Sequence, residues 1–392
     1  MTTSSPPNPP LHGIRVLDFS QMLAGPLAAM LLGDYGADVI KIEPPEGDAL
    51  RRTGETQVGG ESEYYISANR NKRSLVVDLK TAEGLAVVRR LVLEADVLVE
   101  NFRPGTADRL GIGYEAMRDL NPRLVYCSLS GFGADSVHRD RAALDPVIQA
   151  MSGIMQLTGT PDSGPLRTGF PVSDYVTPLL ATTGILAALM ARHTTGRGQR
   201  VDLTMLNATI STMIPREGFY FATGRTPQRN GNAHYQIAPY NTFATRDERQ
   251  IFLIAHNAKY WQALLVALAN EALVSDPRFA TASSRNQHQA ELYEAMARVF
   301  VTRDAVDWTE RLTAAGALFS VVRTWDEVFQ DPEVRRDLVR QVQHPTAGAI
   351  QVLANPVRLS ESPVGIRLAP PLLGEHTQEV LREFGVLPGY TS

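Results

Sequence analysis

The chain has 392 residues, a formal net charge of −4 with both signs well mixed, and one cysteine, Cys127. That length allows two or three domains of about 150 residues each and a large buried core. The lack of a basic run excludes the usual footprint of a nucleic-acid binder, and the single cysteine excludes a disulfide framework and fits a reducing cytoplasm.

The N-terminal MTTSSPPNPP is polar and Pro-rich, with no basic start and no apolar stretch. It is expected to be a disordered tail rather than a signal peptide. Ile14–Phe19 is expected to be a strand, Ser20–Gly25 a turn, Pro26–Tyr35 a helix with Pro at an early position, and Ala37–Glu43 the next strand. That order opens a parallel α/β sheet, in which ligands bind at the carboxyl ends of strands, so Ser20–Gly25 is a candidate wall of a site. The turn SQMLAGP is not G-x-G-x-x-G, and the chain has no Gly-Lys dipeptide. An enzyme that neither uses ATP nor transfers hydride through a conventional site is the simpler inference.

Asn69–Ser74 is expected to be a polar turn, Leu75–Leu79 a strand, Thr81–Ala95 an amphipathic helix and Asp96–Asn101 a strand ending in the turn Asn101-Phe102-Arg103-Pro104-Gly105. Cys127 lies in the expected buried strand Arg123–Ser130, where a thiol is inert. Lys41, Lys80 and Arg103 stand at strand ends, with Arg109 nearby. Each alone is a solvated surface charge; together, at one rim, they would suit a polyanionic ligand.

Two carboxylates stand at expected helix starts. Asp145 precedes Pro146, and Asp174 precedes the apolar run VTPLLATTGILAALM, which breaks at RHTTGRG. The run predicts a helix of some twenty residues, about 30 Å long. A helix apolar on every face belongs in a core, and this one is short and Thr-rich for a membrane span. The amide groups and dipole at its start favour an anion, which predicts a lowered pKa and a usable nucleophile at Asp174. The plain alternative is that Asp174 only caps the helix.

Gln199–Met205 is expected to be a strand and Asn207–Thr223 a helix. The polar, Gly/Pro-bearing linker 225–232 opens a smaller α+β domain over 225–331, with a hairpin at 240–255 and helices from Trp261 to Ala315. The remaining 332–392 carries short strands and then a helix from Leu373 and His376 onward. The eight histidines are scattered with no pair at ligand spacing, so no metal site is expected.

Taken in order, LHGIRVLDFSQMLAGP, GADVIKIEPPEGD, NRNKRSLVVDLK, ADVLVENFRPG, LDPVIQAMSG, the Asp174 helix ending in RHTTGRGQ, and LAPPLLGEHTQEVL resemble the family III CoA-transferases. That group includes formyl-CoA:oxalate and carnitine CoA-transferases. The resemblance implies a Rossmann-like large domain begun by 1–224 and completed by the returning 332–392, a smaller α+β domain and an interlocked homodimer. It implies that Asp174 is the nucleophile, that Gln21 and Asp145 serve the substrate, and that CoA is contacted by Leu23, Ala24, Val77, Asp78, Leu79, Lys80, Asn101, Phe102, Arg103 and Arg109. Its partners would be an acyl-CoA and a small carboxylic acid, with no tightly bound cofactor and no role for nucleic acid or membrane. The implied reaction passes CoA through an aspartyl anhydride and an enzyme thioester. This chain departs from formyl-CoA transferase at Pro44, where that enzyme has a CoA-contacting Arg, and at Ser173, where it has Gly. Its glycine-rich loop is reduced to Asn230-Gly-Asn232. The related α-methylacyl-CoA racemases carry Gly-His-Asp where this chain has Ala143-Leu144-Asp145. Leu144 cannot move a proton, which disfavours racemisation. A non-catalytic CoA-binding protein is the other alternative.

Overall fold

Six short strands form one parallel sheet: β1 Arg15–Asp18, β2 Asp38–Glu43, β3 Lys72–Val76, β4 Val97–Glu100, β5 Val125–Ser130 and β6 Arg200–Thr204. Their spatial order is β3-β2-β1-β4-β5-β6, so the sheet is wound outward in both directions from β1 and β4. Val16 of β1 lies between Val39 and Val97. Helices cover both faces, so the central strands are apolar on both sides and almost wholly buried. This is a computed structural model, and it describes residues 8–386. Of the expected disordered tail, residues 1–7 lie outside the described residues, whereas 8–10 are placed, with Pro9 O accepting from His12 N at 3.0 Å.

The helices that matter for the site are α1 Ala24–Asp34, α2 Ala82–Val92, α3 Asp145–Ser152 and α4 Val172–Thr195, followed by α5 Met205–Ser211 and α6 Arg216–Thr223. The single helix expected over Asn207–Thr223 is thus two, because Pro215 has no N–H to continue the first. Strand β3 is Lys72–Val76 and not the expected Leu75–Leu79. Lys72 and Ser74, expected in a polar turn, are buried in the strand because each finds a partner there. Lys72 Nζ reaches Asp18 Oδ2 at 2.7 Å and Asn69 Oδ1 at 2.9 Å, and Ser74 Oγ reaches Glu43 Oε2 at 2.7 Å.

Only one face of α4 is buried. Ser173, Thr177, Ala181, Ile185, Leu189 and Arg192 form a stripe at helical spacing, while Tyr175, Leu179, Leu180 and Met190 are exposed. The expectation of burial on every face is therefore not met within this chain. By length and composition the helix could cross a membrane, but its inner stripe is that of a core helix. It ends at Gly196, whose φ of +69° is the left-handed geometry that glycine adopts at helix ends.

The chain divides into two compact units. The first comprises the residues up to Met155, Arg167–Arg225 and those from Pro332 onward; the second comprises Gln156–Leu166 and Thr226–Asp331. The segment Gln156–Leu166 lies outside the expected span of the smaller domain. Its place in the second unit follows from its bonds: Arg229 Nη1 reaches Gln156 Oε1 at 2.9 Å and Gly231 N reaches Gly159 O at 2.8 Å. Within that unit β7 Tyr240–Ala244 and β8 Gln250–Ile254 form the expected hairpin, and β9 Leu318–Val321 adds a strand the sequence did not predict. Its core stacks Phe243 on Phe300 and Phe300 against Trp308, with ring centroids 5.1 and 4.8 Å apart.

The C-terminal part of the first unit contains a hairpin, β10 Val339–His344 with β11 Gly348–Leu353. A last helix, α7 Thr377–Glu383, packs Val380 and Leu381 into the core containing Leu17 and Leu98, and Phe384 just beyond it joins them. Arg73 on β3 ties that helix to the sheet through Glu379 and Glu383, each at 2.8 Å.

Candidate active site

The carboxyl ends of β1 and β4 meet where the strand order reverses. A cavity of about 400 Å³ opens there, lined by Met22, Leu23 and Ala24 after β1, Asn101–Pro104 after β4, Leu129–Phe132 at the end of β5, Arg139 and 141–144 before α3, Asp174 on α4, and Met205. Switch points of parallel sheets are where such folds leave room for ligands.

The wall after β1 is held from behind by buried polar groups. Lys41 Nζ donates to Ser20 O and to Asp48 Oδ2, each at 2.9 Å; Asp48 Oδ1 accepts from Met22 N at 3.2 Å. Burial alone would lower the Lys41 pKa, but Asp18, Asp48 and Glu43 around it outweigh this and hold it above the usual ammonium value. Burial alone would raise Asp18; Lys72 and Lys41 overcome it and keep that carboxylate below its usual range. Lys41 is fully buried, so it braces the rim and is not one of the ligand-facing cations expected there. Asn101 pairs with the main chain of Gln21, accepting from its N at 2.8 Å and donating to its O at 2.7 Å. Met22 then takes a left-handed φ of +64°, and a β-carbon at Gly25 would collide with Ser20. The turn is thus specified by its supports rather than by a glycine fingerprint. No side chain caps α1 at its N-cap, Leu23.

Asp174 is the third residue of α4. It is not a cap: the N-cap is Pro171, and no side chain caps the helix from that position. The cap comes from another helix. Asp145 Oδ1 accepts from Ser173 N at 2.9 Å, and its Oδ2 accepts from Gln149 Nε2 at 2.7 Å. Asp145 is itself the first residue of α3, not its N-cap, which is Leu144. Expected at the substrate, Asp145 is turned into the protein and does not line the cavity. Burial, and then the charge of Asp145, push the Asp174 pKa up to about 6. The expected lowering is overturned because desolvation and a neighbouring carboxylate outweigh the favourable helix end.

Of the expected CoA contacts, Leu23, Ala24, Asn101, Phe102 and Arg103 line the cavity together with Asp174. Val77 is buried in the core, and Asp78, Leu79 and Lys80 follow β3 at the same rim without lining the cavity. Arg109 is exposed, with its guanidinium on Thr106 Oγ1 at 2.8 Å. The Gln21 side chain is absent from the lining. Sequence reasoning missed Arg139 and Arg141, which line the cavity from the loop between β5 and α3. Their signal was positional: the loop follows the end of β5, the same rim that presents Arg103 after β4. Among the described lining residues Asp174 is the one carboxylate, and none is a histidine; Leu144 lines the cavity with it. No cluster of potential metal ligands occurs among the described residues.

The model of CoA-transferase family III matches residues 11–377. A succinate–glutarate CoA-transferase of Agrobacterium fabrum is 38% identical, with 98% of each chain covered. A succinyl-CoA–D-citramalate CoA-transferase of Chloroflexus aurantiacus is 36% identical over 98% of this chain and 96% of that protein. Among solved structures, a CaiB/BaiF family protein from Brucella suis superposes with a TM-score of 0.88 at 35% identity, covering 96% of this chain and 100% of that one. This chain belongs to CoA-transferase family III.

Proposed function

We propose that the enzyme transfers CoA from an acyl-CoA such as succinyl-CoA to a small dicarboxylic acid, with Asp174 as nucleophile. The observation that carries the reading is Asp174 itself, the one carboxylate among the described residues lining a cavity at the switch point. A carboxylate with a pKa of about 6 is ionised at neutral pH and more basic than an ordinary aspartate, which favours attack.

In the first step an Asp174 carboxylate oxygen attacks the thioester carbonyl carbon, the C–S bond breaks, and CoA leaves as thiolate. The product is a mixed anhydride. The thiolate then attacks the Asp174 side-chain carbonyl carbon, releasing the donor acid and forming an enzyme thioester. The acceptor carboxylate attacks that thioester, and the returning thiolate takes the acceptor's acyl group and frees Asp174. The bonds broken and made are alike in kind, so no nucleotide is consumed. Amide groups at the uncapped start of α1 are suited to hold the developing oxyanion. Arg103, Arg139 and Arg141 line the same cavity and suit anionic partners, and a dicarboxylate offers a second charge that a monocarboxylate lacks. The names of the two relatives, which pair succinate or its CoA ester with another dicarboxylate, support that class. The exposed apolar side of α4, with Leu179, Leu180 and Met190, supports a homodimer.

Donors crossed against a panel of mono- and dicarboxylic acids, with product CoA esters identified by mass spectrometry, test the reading. Hydroxylamine added with acyl-CoA alone should leave a hydroxamate on Asp174. Absence of that mark, with Asp174→Ala still turning over, defeats the proposal. Exchange of the α-proton with no acceptor present would favour a racemase instead.

A further inference from the structure

The segment that delivers the chain to α4 is anchored by one buried amide. Gln149 is fully buried and lies four residues after Asp145 on α3, so the two side chains share a face. Its Nε2 donates to Asp145 Oδ2 at 2.7 Å. Its Oε1 accepts from Thr168 N at 2.9 Å and from Thr168 Oγ1 at 3.2 Å. The other oxygen of Asp145 accepts from Ser173 N at 2.9 Å. A hydrogen-bonded chain therefore runs Thr168, Gln149, Asp145, Ser173 and ends one residue before the nucleophile.

The polarity of that chain is fixed. The amide groups of Thr168 and Ser173 only donate, so Gln149 must show its oxygen to Thr168 and its NH₂ to Asp145, and Asp145 must accept at both oxygens. We propose that Gln149 is a positioning residue for Asp174, clamping the first turn of α4 from both sides through Asp145 and the 168–171 segment. The inference rests on Asp174 being the nucleophile. The charged groups around Asp174 are Asp145 from α3 and, lining the same cavity, Arg103, Arg139 and Arg141. Of these, Asp145 is the one that Gln149 touches.

The test exchanges the two groups. Gln149→Glu keeps an acceptor toward Thr168 but sets a second carboxylate against Asp145. It should lower kcat by about 10- to 100-fold, as expected for a displaced reactive group. It should also move the acid limb of kcat/KM upward and leave the acyl-CoA KM nearly unchanged. Adding Asp145→Asn restores a donor between the two positions and an acceptor toward Ser173 N, so the double variant should regain most of the lost kcat and return the acid limb to or below its original position. A purely space-filling role predicts neither the pH shift nor the rescue. The inference is overturned if Gln149→Glu leaves kcat and the pH profile unchanged, or if the double variant is no better than the poorer single one. Should Gln149→Glu not fold, a folded double variant with near-normal kcat supports the inference, and a folded but inactive one overturns it. Asp174→Ala is assayed alongside: its retained turnover would sink the nucleophile reading, whereas a dead Asp174→Ala with no rescue by exchange sinks only the role of Gln149.

Discussion

The two sides of the cavity are built differently. The wall after β1 is fixed from below: Ser20, Gln21 and Met22 are bonded respectively to Lys41, Asn101 and Asp48. The wall formed by the loop before α3 presents Arg139 and Arg141 on an exposed segment, and among the described residues no buried ion pair backs them. Under the proposed function, rigid backing would suit the part of the site that meets CoA, the unchanging portion of the ligands, and an exposed loop would suit the portion that differs between acids. Asp174 sits between the walls, so removing it bears on the comparison most severely. Asp174→Ala should reduce turnover by about four orders of magnitude or more, as loss of a covalent nucleophile does. Binding of CoA, measured by calorimetry, should stay close to the unsubstituted enzyme's. Lost binding would mean that Asp174 supports the wall rather than the chemistry.

The fixed wall should break next. Lys41→Met leaves Asp48 and Ser20 O without their buried partner, and breaking one half of a buried ion pair costs about 3–5 kcal/mol. Urea denaturation should show that loss, together with weakened CoA binding. An exposed pair such as Arg246 with Asp304 offers the control, since solvent screens it and its loss should shift the urea midpoint far less.

These elements also mark what the sequence disclosed. Alternating short apolar strands and helices made the parallel sheet legible, and the apolar run after Asp174 made α4 legible. Lys41 misled because a lysine at a strand end looks the same whether it meets solvent or a buried aspartate. Residues Lys72–Ser74 misled for the same reason, since their partners Asp18 and Glu43 come from other strands. Asp174 was legible as an aspartate at a helix start. Its raised pKa was not, because Asp145 is 29 residues away in sequence and only the fold brings it close. Arg139 and Arg141 were missed because a loop's charges carry no periodicity to say which way it faces.

The raised pKa predicts an opposition between stability and activity at the point where the walls meet. The folded pKa of Asp174 is about 6 against an ordinary value of 3.8. The fold therefore favours the protonated form, and that advantage is complete below pH 4 and lost as the pH rises through 6. Asp174→Asn should leave stability unchanged near pH 4 and raise it at pH 8 by about 1–3 kcal/mol, from about 1.4 kcal/mol per pKa unit. The kcat/KM of the parent enzyme should rise with pH along an acid limb centred near 6. Equal stability of parent and variant at both pH values would show that the carboxylate is solvated and not pressed against Asp145.

The smallest effect belongs to the exposed wall, and it is the one that separates recognition of acids from recognition of CoA. If Arg139 and Arg141 hold the far carboxylate of a dicarboxylic acceptor, Arg139→Ala and Arg141→Ala should each raise the acceptor KM about tenfold for dicarboxylates, the scale of a charge-assisted contact at a partly wet site. The acceptor KM for monocarboxylates of similar length should stay within about twofold, because those acids present nothing to lose. Protein stability should change by less than about 0.5 kcal/mol, as for other exposed substitutions. Raised KM for the acyl-CoA with both classes of acid would instead assign the two guanidiniums to CoA phosphates. The contrast between the walls would then be one of construction alone, and acid selectivity would have to arise nearer Leu144 and Met205, the apolar lining beside Asp174.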